Sequence, residues 1–274
     1  MLGKMLENVR EKTPLVHNIT NYVTVNDCAN ILLACGGSPI MSDDIGEVEE
    51  ITSVCGGLNI NIGTLNERTI RSMLAAGKKA NELGHPVILD LVGAGASALR
   101  TNTAKKLLEE VRFSVIRGNI SEIKTLALGG GTTKGVDADV ADKVTDETLD
   151  SVIAFAKAFS EKTGAVIVIT GATDIVADSQ KAYVIKNGVP TMSQITGSGC
   201  MLTAMTAAYI TANPQQLLEA AAAAVCAMGL CGEKAEAVRK EQNAGNSSFR
   251  NYLIDEVYKL DGRMLEEGAR YEIC

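Results

Sequence analysis

The chain has 274 residues, 46% apolar and 22% charged, an ordinary globular composition with enough length to bury a sizeable core as one large α/β domain or two small ones. A net charge of −7, a pI near 5.1 and scattered Lys and Arg exclude a basic stripe for nucleic acid or anionic lipid, and the longest apolar run, 220–231, is too short for a bilayer. The seven cysteines lack CxxC or other metal-type spacing and the charged N-terminus does not look like a signal, so reduced thiols and a cytoplasmic location are expected, with no membrane and no nucleic acid among the partners.

Short apolar runs alternate with stretches of 3.6-residue periodicity, the pattern of helices crossing over a mainly parallel sheet. In chain order, a helix over 25–35 leads to a strand at 39–41, a helix over 47–54 to a strand at 58–62, and a helix over 67–83 to a strand at 87–91. A helix over 103–111 precedes a strand at 114–116, and a helix over 121–127 follows it. The loosest segment, 128–140, contains Gly129, Gly130 and Gly131 and reads either as a flap over a site or as an ordinary surface loop. Beyond it come a helix over 147–162, strands at 166–170 and 175–177, a hairpin partner at 181–185, and helices over 201–211, 214–233 and 247–260. No linker, repeat or low-complexity tract interrupts this order, so 1–274 reads as a single domain. The absence of tryptophan, against abundant Ala and Gly, points to close packing with small residues at the contacts.

The most informative stretch is Thr196-Gly197-Ser198-Gly199-Cys200, a glycine-rich turn running into the apolar helix pattern Met201-Leu202-Thr203-Ala204. Such a turn aims backbone N–H groups and the positive end of a helix dipole at one point, an anion site with a cysteine at its edge. Taken alone it is equally a helix start capped by Ser198 or Thr196. In open parallel sheets ligands bind beyond the carboxyl ends of strands, which directs attention to three more clusters. Asp90 ends one apolar run before a flexible Gly93-Ala94-Gly95 turn, where it can approach a magnesium ion through water or simply cap the next turn or helix. Arg117-Gly118-Asn119 reads as a strand-to-helix turn in which Arg117 can clamp a phosphate and Glu122 can face the same metal as Asp90; the bland alternative is that Asn119 caps the helix and Arg117 pairs with Glu122 on the surface. Thr170, at a third strand end, offers a hydroxyl beside Gly171 for a nucleotide phosphate. His17 and His85 are the only histidines; His17 sits among Asn18, Thr20 and Asn21 and reads as a packed residue, and no transition-metal site is indicated.

These fragments, in this order, resemble the hydroxyethylthiazole kinases of the ribokinase-like superfamily. The resemblance rests on Pro14-Leu15-Val16-His17-Asn18-Ile19-Thr20-Asn21, Gly37-Ser38-Pro39-Ile40-Met41, Leu58-Asn59-Ile60-Asn61-Ile62-Gly63-Thr64-Leu65, Asp90 with Val92-Gly93-Ala94-Gly95-Ala96, Ile116-Arg117-Gly118-Asn119 with Glu122, Lys134-Gly135-Val136-Asp137, and Ile195 through Cys200. It implies a three-layer α/β/α sandwich and ATP-dependent phosphorylation of the primary alcohol of 4-methyl-5-(2-hydroxyethyl)thiazole in thiamine salvage. It further implies a homotrimer with thiazole sites at subunit boundaries. By the same resemblance Met41 and Gly197 contact the thiazole, Asn21, Val23 and Gly63 line the alcohol pocket, Arg117, Thr170 and Asn119 bind ATP, Asp90 and Glu122 lie near Mg²⁺, and Gly197, Ser198, Gly199 and Cys200 surround the transferred group.

Cys200 stands where ribokinase-like kinases generally carry an aspartate base. A helix N-terminus lowers a thiol pKa, so Cys200 either supplies some thiolate or merely packs while the amide cradle does the chemistry. Two features depart from the family pattern. Leu91 replaces the usual proline after the acid, which leaves the placement of Asp90 less fixed, and the acidic loop Ser42-Asp43-Asp44 follows Met41 and is expected to face solvent. Other ribokinase-like activities, such as a hydroxymethylpyrimidine kinase or an ATP-dependent dehydratase, and a non-catalytic sensor, remain alternatives on sequence alone.

Overall fold

Nearly every strand is written for two cores at once. The computed structural model describes residues 1–128, 144–145 and 147–274. In β4 (Val87–Asp90), Ile88 enters one apolar cluster while Val87 and Leu89 enter the other; in β6 (Val166–Thr170), Val166 and Val168 face the first and Ile167 and Ile169 the second. This burial on both faces explains the unbroken Val/Ile/Leu runs.

The first core is covered by α1 (Leu2–Lys12), α2 (Val25–Cys35), α8 (Ser198–Ala212), α9 (Leu217–Glu241), α10 (Asn246–Lys259) and α11 (Gly262–Gly268). The second lies under α3 (Val48–Val54), α4 (Glu67–Leu83), α5 (Ala98–Glu110), α6 (Ile120–Leu128) and α7 (Leu149–Thr163). The remaining strands are β1 (Leu15–Ile19), β2 (Ser38–Met41), β3 (Gly57–Asn61), β5 (Val115–Asn119), β7 (Asp174–Ala177), β8 (Ala182–Ile185) and β9 (Tyr271–Ile273). They form one sheet in the order β2-β1-β3-β4-β5-β6-β7-β8-β9, parallel from β2 to β6 and antiparallel from there on. The three-layer α/β/α architecture is therefore as the sequence predicts. Because the chain leaves β1 first toward β2 and then returns to its other side at β3, the order reverses between β1 and β3, which in open α/β sheets is where the ligand crevice lies, at the carboxyl edge.

Four elements were not legible: α1, β1, α11 and β9. β1 is disguised by His17 and Asn18, both buried in the middle of the strand. The partners of His17 come from distant segments, and Asn18 bonds both locally and to Asn59 of β3. The Asn18 amide donates to the Val16 carbonyl at 2.9 Å, and the His17 ring touches the Thr52 hydroxyl and the Ser42 carbonyl, each at 2.9 Å. Since a carbonyl can only accept, Nε2 carries the hydrogen at Ser42; burial lowers the imidazole pKa, and the Thr52 hydroxyl beside Nδ1 donates to the Val48 carbonyl at 2.7 Å. His17 is thus a packed residue, as expected. Boundaries shift too. α5 starts at Ala98 because Ser97 caps it, its hydroxyl accepting from the Arg100 N–H at 3.3 Å, and β5 continues through Asn119 where the sequence suggested a turn from Arg117. The Gly129-Gly130-Gly131 segment and Lys134-Gly135-Val136-Asp137 lie outside the described residues.

Candidate active site

Sheet register brings the strand-end residues together. Asn61 of β3 pairs with Asp90 of β4, Asp90 with Arg117 of β5, and Asn119 of β5 with Thr170 of β6. Alternation then decides the face: Ile88, Val115 and Val168 point into the core beneath α8, so Asp90, Arg117 and Thr170, each two residues further on, point to the same side. The N-terminus of α8 closes over them.

Arg117 is the centre of this group. Its side chain is 12% exposed, against 0% for Asp90, and Nη1 donates to Asp90 Oδ1 at 3.2 Å while Nη2 donates to Thr170 Oγ1 at 2.6 Å. Nε–H is buried and without a partner among the described residues, an orphaned donor of the kind that a phosphate oxygen satisfies. Although burial works against its charge, Asp90, Glu122 and Cys200 hold the guanidinium above its ordinary pKa. Gly199 is in contact with this group: a Cβ built there would stand 2.6 Å from both Arg117 Nη atoms, so only glycine lets the guanidinium lie against the turn. The cap position of α8 is Gly197, at φ +85°, which has no side chain to cover the first amides, so the capping role considered for Ser198 or Thr196 is not found. A Cβ at Gly197 would also collide with the Thr24 methyl.

A second, contiguous network surrounds Cys200. The Asn21 amide nitrogen lies 3.2 Å from Cys200 Sγ and 3.1 Å from Asn61 Oδ1, and its oxygen accepts from both the backbone N–H and the hydroxyl of Thr24 at 3.1 Å. Asn61 Nδ2 reaches Asp90 Oδ2 at 2.8 Å and Cys200 Sγ at 3.3 Å, and the Gly63 N–H donates to Asn61 Oδ1 at 2.9 Å. The Thr203 hydroxyl donates to Asp90 Oδ2 at 2.9 Å from one turn into α8. Burial raises the Asp90 carboxyl, against the pull of Arg117, Thr203 and Asn61. The Cys200 thiol is likewise pushed up by burial and by Asp90, and Thr24, Arg117 and Asn61 only partly offset this. The thiol thus stands above its ordinary value where the helix terminus led one to expect a lowering, with loss of water the largest cause. Asn61, Thr24 and Thr203 carried no assigned role in the sequence reading; the available signal was Asn59 and Asn61, two polar residues on one face of an otherwise apolar strand.

Glu122 is buried and bonded at both oxygens, Oε1 taking the Gly93 N–H at 2.7 Å and Oε2 the Asn119 N–H at 2.8 Å, while the Asn119 side chain accepts from the Glu122 N–H at 2.9 Å. Asn119 thus caps α6, the bland alternative for that residue, but the surface pair of Arg117 with Glu122 is not formed. Burial pushes the Glu122 carboxyl up to about 7. Leu91 settles the departure noted at Asp90: its N–H donates to the Arg117 carbonyl at 3.0 Å, a bond that proline lacks. Among the described residues no three His, Cys, Asp or Glu side chains are arranged to hold a metal by themselves. Asp90 and Glu122 are hard oxygen donors of the kind Mg²⁺ takes, an ion that usually keeps several waters and shares its shell with substrate phosphates.

At the β1/β3 crevice, Asn21 and Gly63 are buried, Met41 is half-buried against the α8-side core, and Val23 is 56% exposed. Asp43 and Asp44 face solvent opposite Arg68, as expected, at 3.9 and 3.6 Å. The site residues expected from the sequence, Asn21, Val23, Met41, Gly63, Asp90, Arg117, Asn119, Glu122, Thr170 and Gly197 to Cys200, thus lie at the carboxyl edge of the sheet or at the entrance of α8.

Comparison with known proteins decides the family. Residues 6–263 match the model of the hydroxyethylthiazole kinase family. The chain belongs to that family. A hydroxyethylthiazole kinase from Clostridium acetobutylicum is 72% identical over 272 residues, covering 99% of both chains, and one from Clostridium tetani is 50% identical over 97% of this chain and 95% of its own. Among solved structures, a hydroxyethylthiazole kinase protein from Pyrococcus horikoshii superposes with a TM-score of 0.87 at 32% identity, covering 100% of this chain and 98% of that one. A ribokinase-like superfamily protein from Enterococcus faecalis, at 12% identity and a TM-score of 0.63 over 94% of each chain, shares the fold. Membership in the hydroxyethylthiazole kinase family makes this chain a kinase of thiamine biosynthesis with a ribokinase-like fold, and no helix among the described residues is long and apolar enough to cross a membrane.

Proposed function

We propose that the protein transfers the γ-phosphoryl group of ATP to the primary alcohol of 4-methyl-5-(2-hydroxyethyl)thiazole, with the alcohol in the β1/β3 crevice and the triphosphate over Arg117. The observation that carries this reading is the convergence of Arg117, with its orphaned Nε–H, on Gly199 at the uncapped entrance of α8, beside Asp90 and Cys200. Phosphoryl transfer asks mainly for alignment and charge neutralisation. Arg117 and Thr170 grip phosphate oxygens from the sheet; the amides at Gly197, Ser198, Gly199 and Cys200 receive the transferring group from the opposite side. Asn21 and Gly63 hold the hydroxyl, and Met41 and Val23 offer an adaptable apolar wall to the flat ring. Asp90 and Glu122 would hold Mg²⁺ through water, and the ion, when bound, neutralises phosphate charge. Asn119, engaged in capping α6, lies beside this pocket and contributes to the nucleotide side.

With its thiol pushed up by burial, Cys200 stays protonated and does not take the alcohol's proton; the alcohol loses it late, to an oxygen of the transferred phosphoryl group, as bond formation to phosphorus acidifies it and ADP departs. Large apolar side chains stay exposed beside the crevice, Tyr22 at 80%, Val23 at 56% and Ile45 at 50%, which supports a homotrimer in which a second copy completes the thiazole pocket. Seven unpaired cysteines suit a reducing cytoplasm. The deciding experiment incubates the protein with Mg-ATP and a panel of thiazole, pyrimidine and sugar alcohols and follows product mass. One added phosphate on hydroxyethylthiazole alone is the expected result; phosphate release with no phosphorylated product refutes it.

A further inference from the structure

We propose that Asn61 is a positioning residue, whose carboxamide holds the Cys200 sulfur and the Asp90 carboxylate in one fixed geometry at the alcohol site. This rests on the phosphoryl-transfer reading above and adds a residue to it.

The argument is one of complete valence. A carboxamide has two N–H donors and two acceptor lone pairs. At Asn61 both sides are used. Nδ2 reaches Asp90 Oδ2 at 2.8 Å and Cys200 Sγ at 3.3 Å, and Oδ1 receives the Gly63 N–H at 2.9 Å and Asn21 Nδ2 at 3.1 Å. The amide has one orientation: rotated by half a turn, its oxygen would face the Asp90 carboxylate and its NH₂ would face two other donors. Asn61 is also fully enclosed, at 1% exposure, so none of these bonds exchanges with water.

Three elements are tied through this one group. Asn61 ends β3, Asp90 ends β4 on the adjacent strand of the same register, and Cys200 opens α8. Asn21 completes the clamp, because its own Nδ2 is shared between Asn61 Oδ1 and Cys200 Sγ, so the sulfur receives an N–H from each of two asparagines. Two donors occupying the sulfur's lone pairs leave its S–H to point elsewhere. Removing the Asn61 donors takes one of two N–H donors from the sulfur and one of two donors from Asp90 Oδ2, leaving Asn21 and Thr203 alone to hold them, and a displacement of reacting groups by about 1 Å costs on the order of 10²-fold in rate.

The test uses Asn61→Asp, which keeps the acceptor oxygen and the shape but loses both donors, and Asn61→Ala as a second variant should the added carboxylate beside Asp90 prevent folding. Expected is a fall in kcat of about 10²-fold with KM for ATP and for the alcohol within about threefold. The native cysteines provide the second readout. Iodoacetamide labelling, followed peptide by peptide by mass spectrometry, should slow by about threefold or more at Cys200 in Asn61→Asp, because the sulfur loses an N–H donor and gains a carboxylate neighbour, and stay unchanged at buried Cys231, with exposed Cys274 as the reference. A kcat near that of the parent, a loss confined to KM, or a labelling rate at Cys200 that is unchanged or faster would overturn the proposal. Absence of thiazole phosphorylation in the parent protein would instead refute the function, while the labelling comparison still tests the hold on the sulfur.

Discussion

The two faces of the sheet are packed by different means. On the face of α3 to α7 the helices meet the strands through large aliphatic and aromatic side chains, such as Met73, Leu107, Ile153 and Phe159. On the α8 and α9 face small residues fill more of the contacts, Ala204, Ala207 and Ala208 on α8 and the run Ala220 to Ala224 on α9, between larger ones such as Met201, Met205 and Tyr209. Backbones approach closely there. A Cβ on Gly57 of β3 would overlap the Thr211 side chain of α8, and one on Gly229 of α9 would stand 2.7 Å from the Asn187 carbonyl carbon and oxygen. α8 is apolar all round and α4 amphipathic, as befits a central and a peripheral helix. The face that carries the α8 turn thus brings backbones into close contact at Gly57 and Gly229, whereas the opposite face feeds the loops that carry Glu122 and Gly93.

The sharpest way to break this contrast is Gly199→Ala. Its Cβ would meet Arg117 at 2.6 Å while adding helix propensity, so kcat/KM for ATP should fall by about 10² to 10³-fold with little change in melting temperature. A variant within threefold of the parent would show that Arg117 is free to move. Next come two core substitutions read by urea unfolding. Leu107→Ala leaves a cavity on the aliphatic face and should cost about 2–5 kcal/mol. Gly229→Ala forces Asn187 backbone aside on the small-residue face and should cost about 1–3 kcal/mol. Stabilisation by the alanine at 229 would mean that the small-residue face is looser than its geometry implies. Cys200→Ala should lower kcat by less than about tenfold, and Cys200→Asp should turn over at least as fast as the parent, because a carboxylate is the better proton acceptor; a loss above about 10²-fold in the alanine variant would assign the thiol a main role.

The smallest effect is in pH. Confinement at the β6–β7 turn pushes the half-buried Asp174 carboxyl up from 3.8 to about 7, against the Gly171 N–H and the nearby Arg117 charge. With the folded value above the unfolded one, the native state binds more protons between these limits, so this group stabilises fully below about 4 and its contribution is lost as pH rises to about 7. Asp174→Asn should remove that decline from urea midpoints measured across the interval. An unchanged slope would assign it to other carboxyls, Glu122 among them.

Legibility in the sequence divides between local pattern and distant contact. Apolar runs ending in Asp90, Arg117 and Thr170 were readable because strand period and residue type agreed, and the glycines of the α8 turn were readable because little else tolerates such a backbone. β1 was hidden because its centre is polar, and only the distant Thr52 and Ser42 make His17 acceptable in a core. Asn61 was visible as a residue but not as a role, since hydrogen bonds to Asp90 and Cys200 span separations that no local pattern encodes. The thiol direction was hidden for a related reason: burial comes from the whole fold, and a helix terminus is only one local contribution to it.

Leu91 carries a consequence for how the acid is restrained. Where proline would stiffen the chain after Asp90 through its ring, leucine keeps an amide hydrogen and spends it on the Arg117 carbonyl, lengthening the β4–β5 ladder by one rung. The carboxylate and the guanidinium are then anchored to a shared rail, and any drift of one strand carries both charges together. Rigidity that a five-membered ring would lend is supplied here by cross-strand coupling.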